Sequence, residues 1–150
     1  MNEQSGYDIE DLQVGMTGTF AKTITEADIL IFAGVSGDVN AVHLNEEYAA
    51  STPFKGRIAH GMLSASLISA VLANRLPGPG TVYLEQSLKF LNPVRPGDTV
   101  NATVQVLEIN EARCRVLLQT ICSVNGAAVI EGTAQVKVGS SVRRAAKAAA

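Results

Sequence analysis

Met62-Leu63-Ser64-Ala65-Ser66-Leu67-Ile68-Ser69-Ala70-Val71-Leu72-Ala73 is the stretch on which the fold turns. Its residues are apolar or small on nearly every side, so a helix starting near His60 offers no charged face to water and must be wrapped by other parts of the chain. A membrane span is the competing reading. It is disfavoured because residues 58–76 include His60, Ser64, Ser66, Ser69, Asn74 and Arg75. A buried helix is expected.

Working outward toward the C-terminus, Pro77-Gly78-Pro79-Gly80 ends that helix, and the chain then reads as sheet to about Val138. Residues 81–91 are rich in β-formers, and the stretch from Asn92 to Asp98, with Pro93, Pro96 and Gly97, supplies a turn. Val100, Ala102, Val104 and Val106 alternate with Asn101, Thr103 and Gln105, as expected for a strand with one buried face. A turn at Asn110-Glu111-Ala112, a strand over 113–124, a two-residue hairpin at Asn125-Gly126 and a strand over 127–138 complete the reading. Toward the N-terminus, a strand near 17–23 precedes Thr25-Glu26-Ala27-Asp28, where a hydroxyl stands three positions before an acid, as at a capped helix start. That helix runs toward Val35. Residues 36–43 read as a loop, Asn45 caps a short helix with Glu46 and Glu47 in its first turn, and residues 51–57 form a second loop.

An apolar helix followed by a run of antiparallel strands is an α+β arrangement: one long central helix wrapped by a curved antiparallel sheet. The chain has 150 residues, enough for one domain with a core of its own. Residues 1–139 are assigned to that domain, and 140–150, Ala-rich with Arg143, Arg144 and Lys147, to a disordered, frayed tail. Only 17% of the residues are charged, so much of the surface is uncharged and a second subunit is expected to cover part of it. With 12 Lys plus Arg against 14 Asp plus Glu and no basic stripe, nucleic acid and anionic membranes are poor partners. Cys114 and Cys122, read as lying on one strand about 26 Å apart at roughly 3.3 Å per residue, cannot bridge each other. Reduced thiols in a cytoplasmic protein are expected. Two His and two separated Cys support no clustered zinc site, and Met1-Asn2-Glu3-Gln4 does not open a secretory signal.

Asp38, Asn40 and His43 form the densest acid/base grouping. Unperturbed, His titrates near 6.5 and Asp near 3.9, so a neutral imidazole beside a carboxylate is available at neutral pH to move a proton to or from a shared water. Asp and Asn in turns also commonly bond their own backbone, and spacing alone does not choose between the two. At Ile58-Ala59-His60-Gly61-Met62 the long helix opens with unpaired amides, and the Gly61 N–H could receive a developing oxyanion. Alternatively, Gly61 only permits close packing and His60 only satisfies the helix start.

Asp38-Val39-Asn40-Ala41-Val42-His43, then Ile58-Ala59-His60-Gly61-Met62, then residues 86–98 from Gln86 to Asp98, together resemble the MaoC-like (R)-specific enoyl-CoA hydratases. The resemblance covers roughly residues 14–138. It implies a hot-dog fold, assembled as a homodimer or a dimer of dimers, and reversible syn hydration of trans-2-enoyl-CoA to (R)-3-hydroxyacyl-CoA. No resident cofactor is implied, CoA being part of the substrate. Carried over by position, the catalytic pair is Asp38 and His43, with Asn40 helping to hold the water, Gly61 receiving the thioester oxygen and Ser69 lining the site. Ala41 stands where the family commonly has Pro, which loosens the loop without touching the chemistry. The rivals are a 3-hydroxyacyl dehydratase acting on acyl-carrier-protein substrates, for which Lys55, Arg57, Lys89 and Arg95 could form a basic rim, and a non-catalytic acyl-CoA binding module. A thioesterase of this fold places a carboxylate on the central helix, and residues 62–73 contain none. Leu63, Leu67 and Leu72 are candidates for the floor of the acyl pocket.

Overall fold

The computed structural model describes residues 6–149, so the reading of Met1 to Gln4 lies outside the described residues. Strand β1 (Thr17–Thr23) leads through a capping box into α1 (Glu26–Ser36). The Asp28 amide donates to Thr25 Oγ1 at 3.2 Å and the Thr25 amide to Asp28 Oδ2 at 2.8 Å, so two otherwise unpaired donors are satisfied reciprocally. The Thr25 amide first, and then the Thr25 hydroxyl, which donates to the same oxygen, hold the Asp28 carboxyl below its usual range. Two short helices follow, α2 (Ala41–Leu44) and α3 (Glu46–Ser51), the second capped by Asn45 as expected. The loop expected over 36–43 is thus partly helical, because Asn40 Oδ1 accepts the Val42 amide and starts a turn.

The apolar stretch is α4 (Gly61–Asn74), with Leu63, Ala65, Leu67, Ile68, Val71 and Leu72 buried. It packs against β1, β4 (Thr99–Asn110) and β5 (Arg115–Val124). Val100, Ala102, Val104 and Val106 face it from β4, and Val116, Leu118 and Cys122 are buried on β5. Burying each such aliphatic side chain favours folding by about 1.5–3 kcal/mol, and this burial, rather than helix propensity, keeps α4 in place. The hairpin at Asn125-Gly126 has both residues in the left-handed region, φ 50° and 82°, the twist a two-residue connection requires, and leads into β6 (Ala127–Lys137).

The sheet is antiparallel throughout, in the order β1-β4-β5-β6-β2, with β2 at Val82–Gln86, and bulges at Leu107 in β4 and at Val129 in β6 add to its bend. An α+β hot-dog fold results, a helix held in a curved sheet. The strand expected over 81–91 is broken into β2 (Val82–Gln86) and β3 (Lys89–Phe90), both paired with β6. At the break the Ser87 carbonyl lies over Gly132, where a Cβ would come within 1.9 Å of it. Ser87 also exchanges bonds with Thr133: its amide donates to the Thr133 carbonyl, and its Oγ accepts the Thr133 amide, each at 2.9 Å. This close approach interrupts the strand and delivers Phe90 and Leu91 to the mouth of a cavity.

Two further expectations are corrected. The tail read as disordered over 140–150 instead forms α5 (Ser141–Ala148), with Ser140 accepting the Arg143 amide as its cap. Glu10 accepts from the Ser140 hydroxyl and from the Ser141 amide at 3.1 Å, and Arg144 pairs with Asp8. Only Ala150 of that tail lies outside the described residues. Cys114 is not on a strand with Cys122; it precedes β5 in the left-handed region at φ 50°. Both thiols are free and buried, and burial pushes that of Cys122 up to about 11. Among the described residues no helix is long and apolar enough to cross a membrane.

Candidate active site

Gly37 ends α1 in the left-handed region and the chain turns into Asp38. The Asp38 amide donates to Ser36 Oγ at 3.1 Å, and that hydroxyl donates back to the Phe32 carbonyl at 2.7 Å, so the end of α1 anchors the segment. Five residues on, α2 presents His43, 8% exposed. Its Nδ1 lies 2.8 Å from the Ile58 carbonyl. A carbonyl only accepts, so Nδ1 carries the proton and Nε2 of the neutral ring is left with a bare lone pair. That Nε2 is 3.9 Å from Asp38 Oδ2, too far for a direct hydrogen bond and close enough for one water to touch both atoms at about 2.8 Å. Both groups are acceptors. A water between them gives a proton to each and turns its lone pairs outward.

A cavity of about 460 Å³ opens beside this pair. Asp38, His43, His60, Gly61 and Ser64 supply polar groups to its wall, and Ile58, Met62, Phe90, Val94 and Ile130 much of the rest. Such a small polar cluster in an apolar cleft suits a ligand with one reactive end and one greasy end. Gly61 begins α4, and a Cβ there would fall 2.7 Å from the Phe90 ring. His60, at the N-cap, makes no side-chain cap bond, so nothing from that side chain competes for the amide of Gly61, a residue of the cavity wall.

The remaining expectations divide. Asn40 is exposed and its carbonyl oxygen caps α2; it supports the turn that carries His43 and does not line the cavity. Ser69 is exposed on α4, about 12 Å along the axis from Gly61 at 1.5 Å per residue, and is also off the cavity wall. The serine that the helix does present there is Ser64, 1% exposed, with a hydroxyl that has no partner. Leu63, Leu67 and Leu72 belong to the core beneath α4, while the floor of the cavity is formed by Val94 and Ile130.

The basic rim is largely spent inside the protein. Arg57 donates to both Glu26 oxygens, at 2.6 and 2.8 Å, and to Glu46 at 3.2 Å, and the Glu26 bond is the main cause of its raised pKa. Arg95 donates to the Phe54 and Arg57 carbonyls, and Lys89 lies 3.5 Å from Glu131. Of the four cations Lys55 alone has no such partner among the described residues.

His60 opens α4 as the sequence suggests, but the contacts it makes there are ones the sequence gives no means of anticipating. It is 1% exposed, its Nε2 lies 2.9 Å from the Asp38 carbonyl, and its ring stacks on His43 with centroids 3.9 Å apart. Asp38, His43 and His60 are close enough together to suggest a metal site. The two imidazole planes are tilted by 30°, and each ring already has one nitrogen engaged with a main-chain carbonyl, so one nitrogen of each is left to face a ligand.

Comparison with known proteins agrees with this geometry. The family model for MaoC like domains matches residues 13–132. An (R)-specific enoyl-CoA hydratase of Rhodospirillum rubrum is 57% identical over 129 residues, 86% of this chain and 90% of that protein. A 3-hydroxybutyryl-CoA dehydratase of Methylorubrum extorquens is 51% identical over 129 residues, 86% of this chain and 82% of its own. The unliganded R-hydratase of Pseudomonas aeruginosa superposes with a TM-score of 0.85 at 44% identity, covering 91% of this chain and 88% of that one.

Proposed function

The chain belongs to the family of MaoC-like domains, and from that premise we propose that it is an (R)-specific enoyl-CoA hydratase, a hydro-lyase that reversibly adds water to trans-2-enoyl-CoA. The observation that carries the reading is the 3.9 Å gap between Asp38 Oδ2 and His43 Nε2, two acceptors on the wall of a largely apolar cavity below the start of α4.

In the forward direction one water sits in that gap and is held by both of its hydrogens. Its oxygen attacks C3 of the enoyl thioester as one O–H bond breaks toward the Asp38/His43 pair. The C2–C3 π electrons move onto the thioester as an enolate, and the Gly61 amide donates to the enolate oxygen, with the macrodipole of α4 adding to that stabilisation. The pair then delivers a proton to C2 on the face that received the hydroxyl, which is syn addition. Because the two groups share one water, the protons belong to the pair rather than to either residue. No resident cofactor enters: the polarisation comes from the amide and the proton traffic from the side chains.

CoA is favoured over an acyl carrier protein as the thioester's owner. An acidic carrier protein needs a basic platform, and Arg57 and Lys89 are paired with acids while Arg95 is turned onto backbone carbonyls. The apolar rim of the cavity, formed by Phe54, Met62, Phe90 and Leu91, is exposed in the single chain. A second copy covering it, as a homodimer or as half of a dimer of dimers, completes the proposal, and the buried free thiols fit a cytoplasmic setting. The test is the absorbance of crotonyl-CoA mixed with pure protein. Loss of the conjugated enoyl signal at a catalytic rate, with the (R)-3-hydroxyacyl product, is expected; tight binding without turnover identifies a binding module instead.

A further inference from the structure

The hydration step leaves one titratable group of the cavity wall unused. His60 is 1% exposed, and its ring is held between His43, at 3.9 Å, and Phe32, at 5.0 Å between centroids. Its Nε2 meets the carbonyl of Asp38 at 2.9 Å, and its buried Nδ1 has no partner. These two facts assign the proton. A carbonyl cannot donate, so Nε2 carries the hydrogen, and among the described residues no acceptor stands beside Nδ1 to receive one. His60 therefore acts as a donor to main chain.

What it holds is Asp38. The Asp38 side chain is 51% exposed, and its carboxylate is tied only through Oδ1, which accepts the Asn40 amide at 3.3 Å. Its direction is inherited from its own peptide units, fixed on one side by the Ser36 hydroxyl and on the other by His60. Releasing the carbonyl lets the peptide rotate and swings Oδ2 away from His43. We propose that His60 is a positioning residue for the hydration reaction: through its Nε2–H bond to the Asp38 carbonyl it keeps the Asp38 carboxylate at water-sharing distance from His43. This rests on the hydratase reading.

The test pairs two amides of different reach. The side-chain nitrogen of Gln overlays Nε2 of His, and that of Asn overlays Nδ1, so His60→Gln keeps a donor for the Asp38 carbonyl and His60→Asn does not. With crotonyl-CoA, His60→Asn is expected to lose about 100-fold in kcat with KM changed less than about threefold, while His60→Gln stays within about tenfold of the parent. Equal losses in the two variants, or full kcat in His60→Asn, overturn the proposal. Because a buried His can matter for folding, the second arm uses the unmodified protein: ¹⁵N NMR of the ring nitrogens at neutral pH is expected to show a proton on Nε2 of His60. A bare Nε2 overturns the assignment. A parent protein inert toward crotonyl-CoA would count against the hydratase reading alone, and the NMR arm would still decide the His60 bond.

Discussion

Two corners of the molecule are tied together by bonds between residues far apart in sequence, and they are built on opposite terms. At the cavity, His43 and His60 are buried and bonded to the main-chain carbonyls of Ile58 and Asp38, with no net charge spent. At the other, α5 is lashed to the N-terminal residues by Arg144 on Asp8 and by the buried Ser140 and the exposed Ser141 on the exposed Glu10. Bonds to carbonyls in a low-dielectric site are insensitive to salt and fix direction. Exposed ion pairs are screened, and each contributes little. The first corner is thus built to hold reacting groups in one geometry, the second to keep a chain end from fraying. Damage to the first should appear in rate and damage to the second in stability.

The strongest test of that division is to remove the reacting groups. Asp38→Asn or His43→Gln is expected to lower crotonyl-CoA hydration by about 10²- to 10⁴-fold with little change in thermal midpoint, as for loss of a catalytic acid or base. A variant that melts early without a selective loss of rate would show that the corner is structural after all. Gly61→Ala is the next step down. Its Cβ meets the edge of Phe90, a half-exposed side chain that can swing away, so the midpoint should hold while the displaced ring narrows the cavity mouth. A fall of about tenfold in kcat/KM is expected, which corresponds to about 1.4 kcal/mol in the transition state. Steady-state kinetics beside a melting curve separates the two readouts.

The same contrast explains what could be read from sequence. The strands of the second half were legible because alternation is local: Val100, Ala102, Val104 and Val106 announce their buried face, and Asn125-Gly126 its turn. The break at Ser87 was not, since it is imposed by Gly132 from the neighbouring strand. Nor was α5, whose tethers come from Asp8 and Glu10, some 130 positions earlier. At the cavity, Asp38, His43 and Gly61 are picked out by the order of three motifs, whereas spacing alone leaves Asp38 and Asn40 open as turn residues and Gly61 as a packing glycine. Asn40 shows that the turn chemistry was also present, because it caps α2. Carrying a serine over by position led to Ser69, whereas the helical face that the cavity exposes belongs to Ser64. His60 stands inside one of the three motifs, but the bond it makes leaves no sequence signal. Its partner is a main-chain carbonyl, an atom every residue possesses.

Smaller effects sharpen the comparison on the stability side. Arg57 joins α1 to α3 through its two-pronged bond to Glu26 and its bond to Glu46, beside the cavity but off its wall. Arg57→Met is expected to cost about 1 kcal/mol, read as a fall of about 2–4 °C in thermal midpoint, with crotonyl-CoA turnover near that of the parent. A large rise in KM would instead show that Arg57 leaves its acids to grip the CoA phosphates.

The smallest effect concerns Glu10. The Ser140 hydroxyl above all, helped by Ser141, lowers its carboxyl from 4.5 to about 2. A carboxyl depressed in the folded state contributes stability that is complete above the unfolded value near 4.5 and disappears as pH falls from there toward 2. In Glu10→Gln that contribution is gone at every pH. The difference in thermal midpoint between parent and variant should therefore be small and constant at neutral pH and close between pH 4.5 and 2. Asp28, also lowered, is common to both proteins and cancels in the difference. At neutral pH trypsin should cut the variant faster at Arg143 and Arg144, where α5 has lost part of its tether, while hydration of crotonyl-CoA is unchanged. Equal cutting rates would leave the Arg144 pair with Asp8 and the Arg143 bond to the Ala112 carbonyl as the tether, and a loss of hydration would join the two corners.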